Sequence, residues 1–152
     1  MSGIPNPRRY EQLTYTRLTD PDAVARAAAQ RQRHPGFGRG QILLVAADHP
    51  ARAALGVGAD DFAMGDRLEL LDRMRQALSR PGVDGVLASP DIIDDLLLTG
   101  ALDGKLVFGS MNRGGLAGTA FEFEDRMTAY TPAALKALGA DGGKTLTRIG
   151  SD

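Results

Sequence analysis

Cysteine and tryptophan are absent from this sequence, lysine occurs three times and histidine twice. Without cysteine there is neither a disulfide framework nor a thiolate zinc site. No apolar run approaches the roughly 18 residues that a membrane-spanning helix needs. The opening stretch, Met1 to Tyr10, contains Arg8 and Arg9 but no apolar core of the kind a secretory leader uses, so a cytoplasmic location is expected. Charge of one sign is also missing: 18 basic and 19 acidic side chains leave a formal charge of -1. That balance argues against a nucleic-acid surface, and neither nucleic acid nor membrane is an expected partner. No motif calls for a metal or an organic cofactor, and none is expected. What is present, 152 residues of which 43% are hydrophobic, suits one globular domain.

Punctuation and periodicity divide the chain into alternating elements. Residues 1–40 read as an N-terminal helical approach segment, with Thr19 or Asp20 capping a helix over Ala23 to Arg33 and Pro21 near its first turn. Gln41 to Ala47 is a continuous apolar run, the pattern of a strand buried on both faces. Asp66 to Arg80 places Leu68, Leu71, Met74 and Leu78 at helical spacing before Pro81-Gly82. A second short strand follows over Val83 to Ala88, and Ser89-Pro90-Asp91 opens a helix through Leu98. Leu106 to Gly109 reads as strand three, Pro132 to Leu138 as a helix stopped by Gly139, and Lys144 to Ile149 as strand four. Strands alternating with helices predict an α/β class with a parallel sheet. Two architectures suit about four such units: a small doubly wound sheet, or a partial (β/α)8 TIM barrel. Strand four runs into Gly150-Ser151-Asp152 with no covering helix, and a whole barrel takes about 250 residues. Residues 41–152 are therefore expected to be the N-terminal half of such a barrel, and the open parallel edge invites a homo-oligomer.

In either architecture ligands sit beyond the carboxyl ends of the strands. Strand one ends in Asp48-His49-Pro50-Ala51-Arg52. Asp48 can orient a substrate hydroxyl or transfer a proton, and can equally cap the turn that Pro50 opens; His49 reads more simply as a surface residue. Strand three leads into Ser110-Met111-Asn112-Arg113 and a glycine-rich run to Gly118, where Arg113 can pair with a phosphate or carboxylate. The run lacks the Lys-Ser/Thr ending of a P-loop and the spacing of a dinucleotide fingerprint. On strand four, alternation puts Lys144, Leu146 and Arg148 on one face. A lysine projecting into a barrel needs an anion or must lose its proton, whereas on an edge both cations are simply solvated. Asp94 and Asp95 read as the solvated side of a helix, Glu122 and Glu124 as the wet face of an extended segment, and Met64 and Met74 as core.

Four stretches taken in order carry a resemblance: Ala46 to Arg52, the Gly109 to Gly118 loop, Asp125 to Thr131, and Asp141 to Ile149. Together they resemble the class I aldolase-like (β/α)8 barrel proteins often described as deoxyribose-phosphate aldolase and associated with sugar or inositol catabolism. The likeness spans most of residues 10 to 149, with a more distant similarity to the tagatose- and fructose-bisphosphate class I aldolases. It implies a lyase acting on a sugar phosphate, with Asp48 positioning or deprotonating substrate hydroxyls and Lys144 stabilising charge near the carbonyl. His49, Asn112, Arg113 and Arg148 are the residues expected to contact substrate. The resemblance also implies that the Schiff-base lysine lies on a later strand than the four read here, so that this chain alone turns over little substrate.

Overall fold

The computed structural model describes residues 7–38, 40–112 and 126–147. Two helices, α1 (Pro7–Thr19) and α2 (Ala23–Gln30), precede strand β1 (Leu44–Ala47). A single 3-10 turn (Pro50–Arg52), helix α3 (Arg67–Leu78), strand β2 (Gly85–Ala88), helix α4 (Pro90–Leu98), strand β3 (Leu106–Ser110), helix α5 (Pro132–Leu138) and strand β4 (Gly142–Lys144) follow. The four strands form one sheet in chain order, every pair parallel. The class is α/β.

Local chemistry accounts for most boundaries. The Asp66 carboxylate accepts from the backbone N–H of Leu68 and Glu69 and starts α3, which buries Leu70, Leu71, Met74 and Leu78. Thr131 caps α5 in the same way through Ala134, and Gly139 ends it in a left-handed conformation at φ 67°. Ser89 precedes α4 without capping it; its hydroxyl donates to Asp91 instead, 2.5 Å away. Helix α2 stops at Gln30, three residues before the expected end, because the Arg31 backbone turns extended.

Helix α1 lies within the expected helical approach segment, ahead of the one helix located there from the sequence. Its sequence is polar, and tertiary contacts hold it: the Tyr10 hydroxyl donates to Asp72, and Tyr10 and Leu13 enter the same core as α3 and α4. Residues 7–30 are thus part of one packed body with the sheet.

The two faces of the sheet differ. Ala47, Val86, Ala88 and Val107 alternate onto the face under the helices, where at most 1% of each is exposed. Ala46, Leu87 and Phe108 share the other face, where Ala46 is exposed and Leu87 and Phe108 are half-buried. The run from Gln41 is therefore a strand covered on one side only, and Gln41 to Leu43 lie outside it. At the amino end of this face Phe37 meets Phe108 edge-on, with ring centroids 6.4 Å apart.

Candidate active site

Strand register lines up a row of rim residues. Ala47 pairs with Ala88, Ala88 with Gly109, and Gly109 with Gly143. One residue further on, Asp48, Ser89, Ser110 and Lys144 mark the carboxyl ends of the four strands, with Ser110 and Lys144 themselves paired. In a parallel sheet, paired residues project to the same side. This row belongs to the face that the helices leave uncovered.

Across that row the Lys144 ammonium donates to Asp48 Oδ2 at 2.6 Å. The two residues sit on opposite edges of the sheet, three strand intervals apart, which in a flat sheet is about 14 Å. A lysine and an aspartate standing upright on a flat sheet do not meet over that distance. The sheet must curl, with the uncovered face concave and the ion pair bridging its mouth.

Asp48 is 5% exposed and the Lys144 side chain 25%. Burial alone pushes the Asp48 carboxyl up, but the Lys144 hydrogen bond and charge, with the charges of His49 and Arg52, outweigh it and hold the group below its ordinary value. Asp48 does not cap the turn at Pro50: the residue at the cap position is His49, which makes no side-chain cap. His49 lies at the surface, its Nδ1 3.6 Å from Asp48 Oδ1.

Asn112 has a different place from the one expected. Its amide is taken up by the backbone of Leu146, donating to the carbonyl at 2.9 Å and accepting from the N–H at 2.8 Å. Met111 N–H also donates to the Lys144 carbonyl. On the other side of β4, Asp141 accepts from Arg31, Arg33 and the Val107 N–H. Lys144 is thus bracketed, and Asn112 positions the strand that carries it. Strand four ends at Lys144 rather than running to Ile149, so Leu146 is tied down by backbone bonds and the alternation expected for Lys144, Leu146 and Arg148 does not extend past Lys144. Arg113, Arg148 and the Glu122/Glu124 pair lie outside the described residues.

The remaining lysines are elsewhere. Lys105 sits at the amino end of β3, donating to the Val83 carbonyl, and Lys136 is exposed on α5. Lys144 is the one lysine at the carboxyl rim. Among the described residues no group of three or more His, Asp or Glu side chains is arranged to hold a metal, and no helix is long and apolar enough to cross a membrane.

A second buried carboxylate, Asp95 on α4, was expected in solvent and is instead 5% exposed between Arg17 and Arg67, at 2.8 and 2.6 Å. Asp94 joins Arg17 and Asp91 joins Arg67. Asp95 follows Ile92 by three residues, a helical spacing that marked it as inward-facing had the arginines been known to meet it.

A family model described as Cgl0159-like matches residues 40–152. A crystal structure of Cgl0159 from Corynebacterium glutamicum (Brevibacterium flavum) matches with a TM-score of 0.89 and 52% identity, covering 96% of this chain and 50% of that one. The chain spans about half the length of this solved relative. Comparison with curated proteins gave no match.

Proposed function

The chain belongs to the Cgl0159-like family, and from that premise we propose that its four βα units are half of a (β/α)8 barrel carrying part of an aldolase-type site for sugar phosphates in the cytoplasm. The observation that carries this reading is the Asp48–Lys144 ion pair, an acid and an amine bridging the concave mouth of a curled parallel sheet. Sequential parallel strands under an outer helix layer suit a barrel. The doubled length of the solved relative leaves room for four more strands.

In a retro-aldol cleavage the substrate hydroxyl loses its proton as its carbon becomes an aldehyde, and the electron pair of the broken carbon–carbon bond moves toward the carbonyl carbon's side. Asp48, held ionised, is the acceptor for that proton. Lys144 keeps two N–H donors beyond the one given to Asp48, and these serve the oxygen on which negative charge grows. An ammonium locked in an ion pair has no lone pair for imine formation, so Lys144 is assigned charge stabilisation and the imine-forming amine belongs to strands that complete the barrel.

The occupied lysine also favours a second reading, a non-catalytic sugar-phosphate-binding module. A panel of phosphorylated aldoses and ketoses, including deoxyribose 5-phosphate, separates the two. Both readings expect the sugar phosphates to raise the melting temperature, and Asp48→Asn and Lys144→Met to abolish the rise. Slow cleavage that Asp48→Asn removes supports the lyase; stabilisation with no cleavage supports the module. Absence of stabilisation by every compound overturns both, and borohydride trapping of an imine on Lys144 overturns its assigned role.

A further inference from the structure

The turn after β1 carries a cation that the fold itself does not use. Among the described residues Arg17, Arg26, Arg31, Arg33, Arg67 and Arg73 each meet an aspartate or a glutamate. Arg52 is half-buried, yet among the described residues its guanidinium meets no carboxylate and makes no hydrogen bond. Arg75 and Arg80 also lack an acid, but α3 starts at the carboxyl rim and ends at the opposite one, where these two lie. The place of Arg52 is fixed by its backbone. The 3-10 turn Pro50–Arg52 directly follows the carboxyl end of β1, with the Arg52 and Ala54 N–H groups donating to the His49 carbonyl and the Ala53 N–H to that of Pro50. Ala53 ends the turn at φ 57°, in the left-handed region that a residue with a side chain seldom takes. The turn so held keeps Arg52 near Asp48, whose carboxylate its charge helps keep ionised.

We propose that Arg52 is the phosphate anchor of the Asp48–Lys144 site, and that the ligand carries its phosphate on the side of the reacting hydroxyl remote from the carbonyl; this rests on the sugar-phosphate reading above. Charge supplies the first part. Asp48 and Lys144 cancel, so Arg52 leaves this rim a positive charge to spare in a chain whose formal charge is -1. A guanidinium free of carboxylates offers its paired N–H groups to two phosphate oxygens, and partial burial strengthens that attraction. The order of groups supplies the second part. Lys144 reaches Asp48 from β4 across the mouth, whereas Arg52 stands on the β1 side, on the turn that follows Asp48. A substrate laid along the rim, carbonyl at Lys144 and hydroxyl at Asp48, brings its far end to Arg52. The bond between the hydroxyl-bearing carbon and the carbon beside the carbonyl breaks, the hydroxyl proton passing to Asp48 and the electron pair to the carbonyl fragment. The phosphate therefore leaves on the aldehyde fragment, as it would from 2-deoxyribose 5-phosphate. Ketose 1-phosphates, whose phosphate adjoins the carbonyl, are disfavoured.

The test is calorimetric titration of the intact chain, Arg52→Gln and Arg52→Lys with 2-deoxyribose 5-phosphate and with fructose 1-phosphate. Because the fold loses no bond, Arg52→Gln is expected to melt, without ligand, where the unaltered protein does. It is expected to bind deoxyribose 5-phosphate about 10- to 100-fold more weakly, with Arg52→Lys in between. Added salt should weaken the unaltered protein's binding more than the Arg52→Gln variant's. The unaltered protein should prefer deoxyribose 5-phosphate to fructose 1-phosphate, and Arg52→Gln should narrow that preference. Equal binding of deoxyribose 5-phosphate by the unaltered protein and Arg52→Gln overturns the anchor while the sugar-phosphate reading stands. A fall in the ligand-free melting temperature of Arg52→Gln assigns the residue to the fold and overturns it too. A preference for fructose 1-phosphate, or an equal weakening of both sugars by Arg52→Gln, overturns the stated order of groups. If neither these nor the other sugar phosphates bind the unaltered protein, the anchor and the reading beneath it fall together.

Discussion

Two aspartates in this molecule are equally buried, each 5% exposed, and they are held in opposite ways. Asp95 lies in the helical layer between two arginines that reach it from α1 and α3, and Arg67 approaches it through both Nε and a terminal nitrogen. Asp48 lies at the mouth of the sheet with one lysine nitrogen on one oxygen. Planar guanidinium groups fix a carboxylate's orientation, whereas a single ammonium on a four-carbon stem can exchange its partner for a ligand oxygen. The first arrangement suits a bolt between helices, and the second leaves a charged pair within reach of a substrate.

The largest effect that distinguishes them is on stability. Asp95→Ala leaves Arg17 and Arg67 facing the remaining acids without the central one, and is expected to cost about 3–5 kcal/mol in urea unfolding. Lys144→Met leaves Asp48 buried near His49 and Arg52, whose charges and the group's own protonation soften the loss to about 2–3 kcal/mol. If Lys144→Met proves the more damaging, Asp48 is the structural bolt and the contrast fails.

Next comes Asn112→Ala, which strips both backbone partners from Leu146 and is expected to cost about 2 kcal/mol. It should also weaken any sugar-phosphate stabilisation while leaving Asp48 in place. An unchanged ligand response with reduced stability would show that the strand keeps Lys144 positioned without it.

Acid sharpens the comparison further. The Asp48 carboxyl is held below its unfolded value of about 3.9, so its contribution is complete above that pH and is lost as the pH falls through the lower folded value. In Lys144→Met, burial is left with less opposition, the carboxyl rises, and the acid loss should shrink. Equal acid slopes in the two proteins, read from urea midpoints between neutral pH and pH values near the carboxylate range, would sink the assignment. The smallest expected effect is on the concave face: Leu87→Ala, at a half-buried site, should cost about 1 kcal/mol or less in the monomer.

Much of the fold was legible because local signals agreed with it. Asp66, Thr131, Pro132 and Gly139 mark helix ends by hydrogen bonding and backbone geometry that act over a few residues. The alternation of strands and helices followed from the same punctuation, and Asp48 and Lys144 were visible as ionisable groups beside apolar strands. Helix α1 was not visible, since its polar sequence is held by Tyr10 and Arg17 to residues more than sixty positions away. Asn112 was placed among substrate contacts because nothing near it in the chain reveals Leu146 as its partner.

The sequence by itself determined the parallel α/β class, the helix caps and the presence of an acid and an amine on strands one and four. Only the tertiary structure decided that these two meet, that Asp95 is buried between arginines, and that one face of the sheet stays uncovered. The reason is range: caps and turns depend on neighbours a few bonds away, while the curl of a sheet and the pairing of buried charges depend on residues brought together from its two edges.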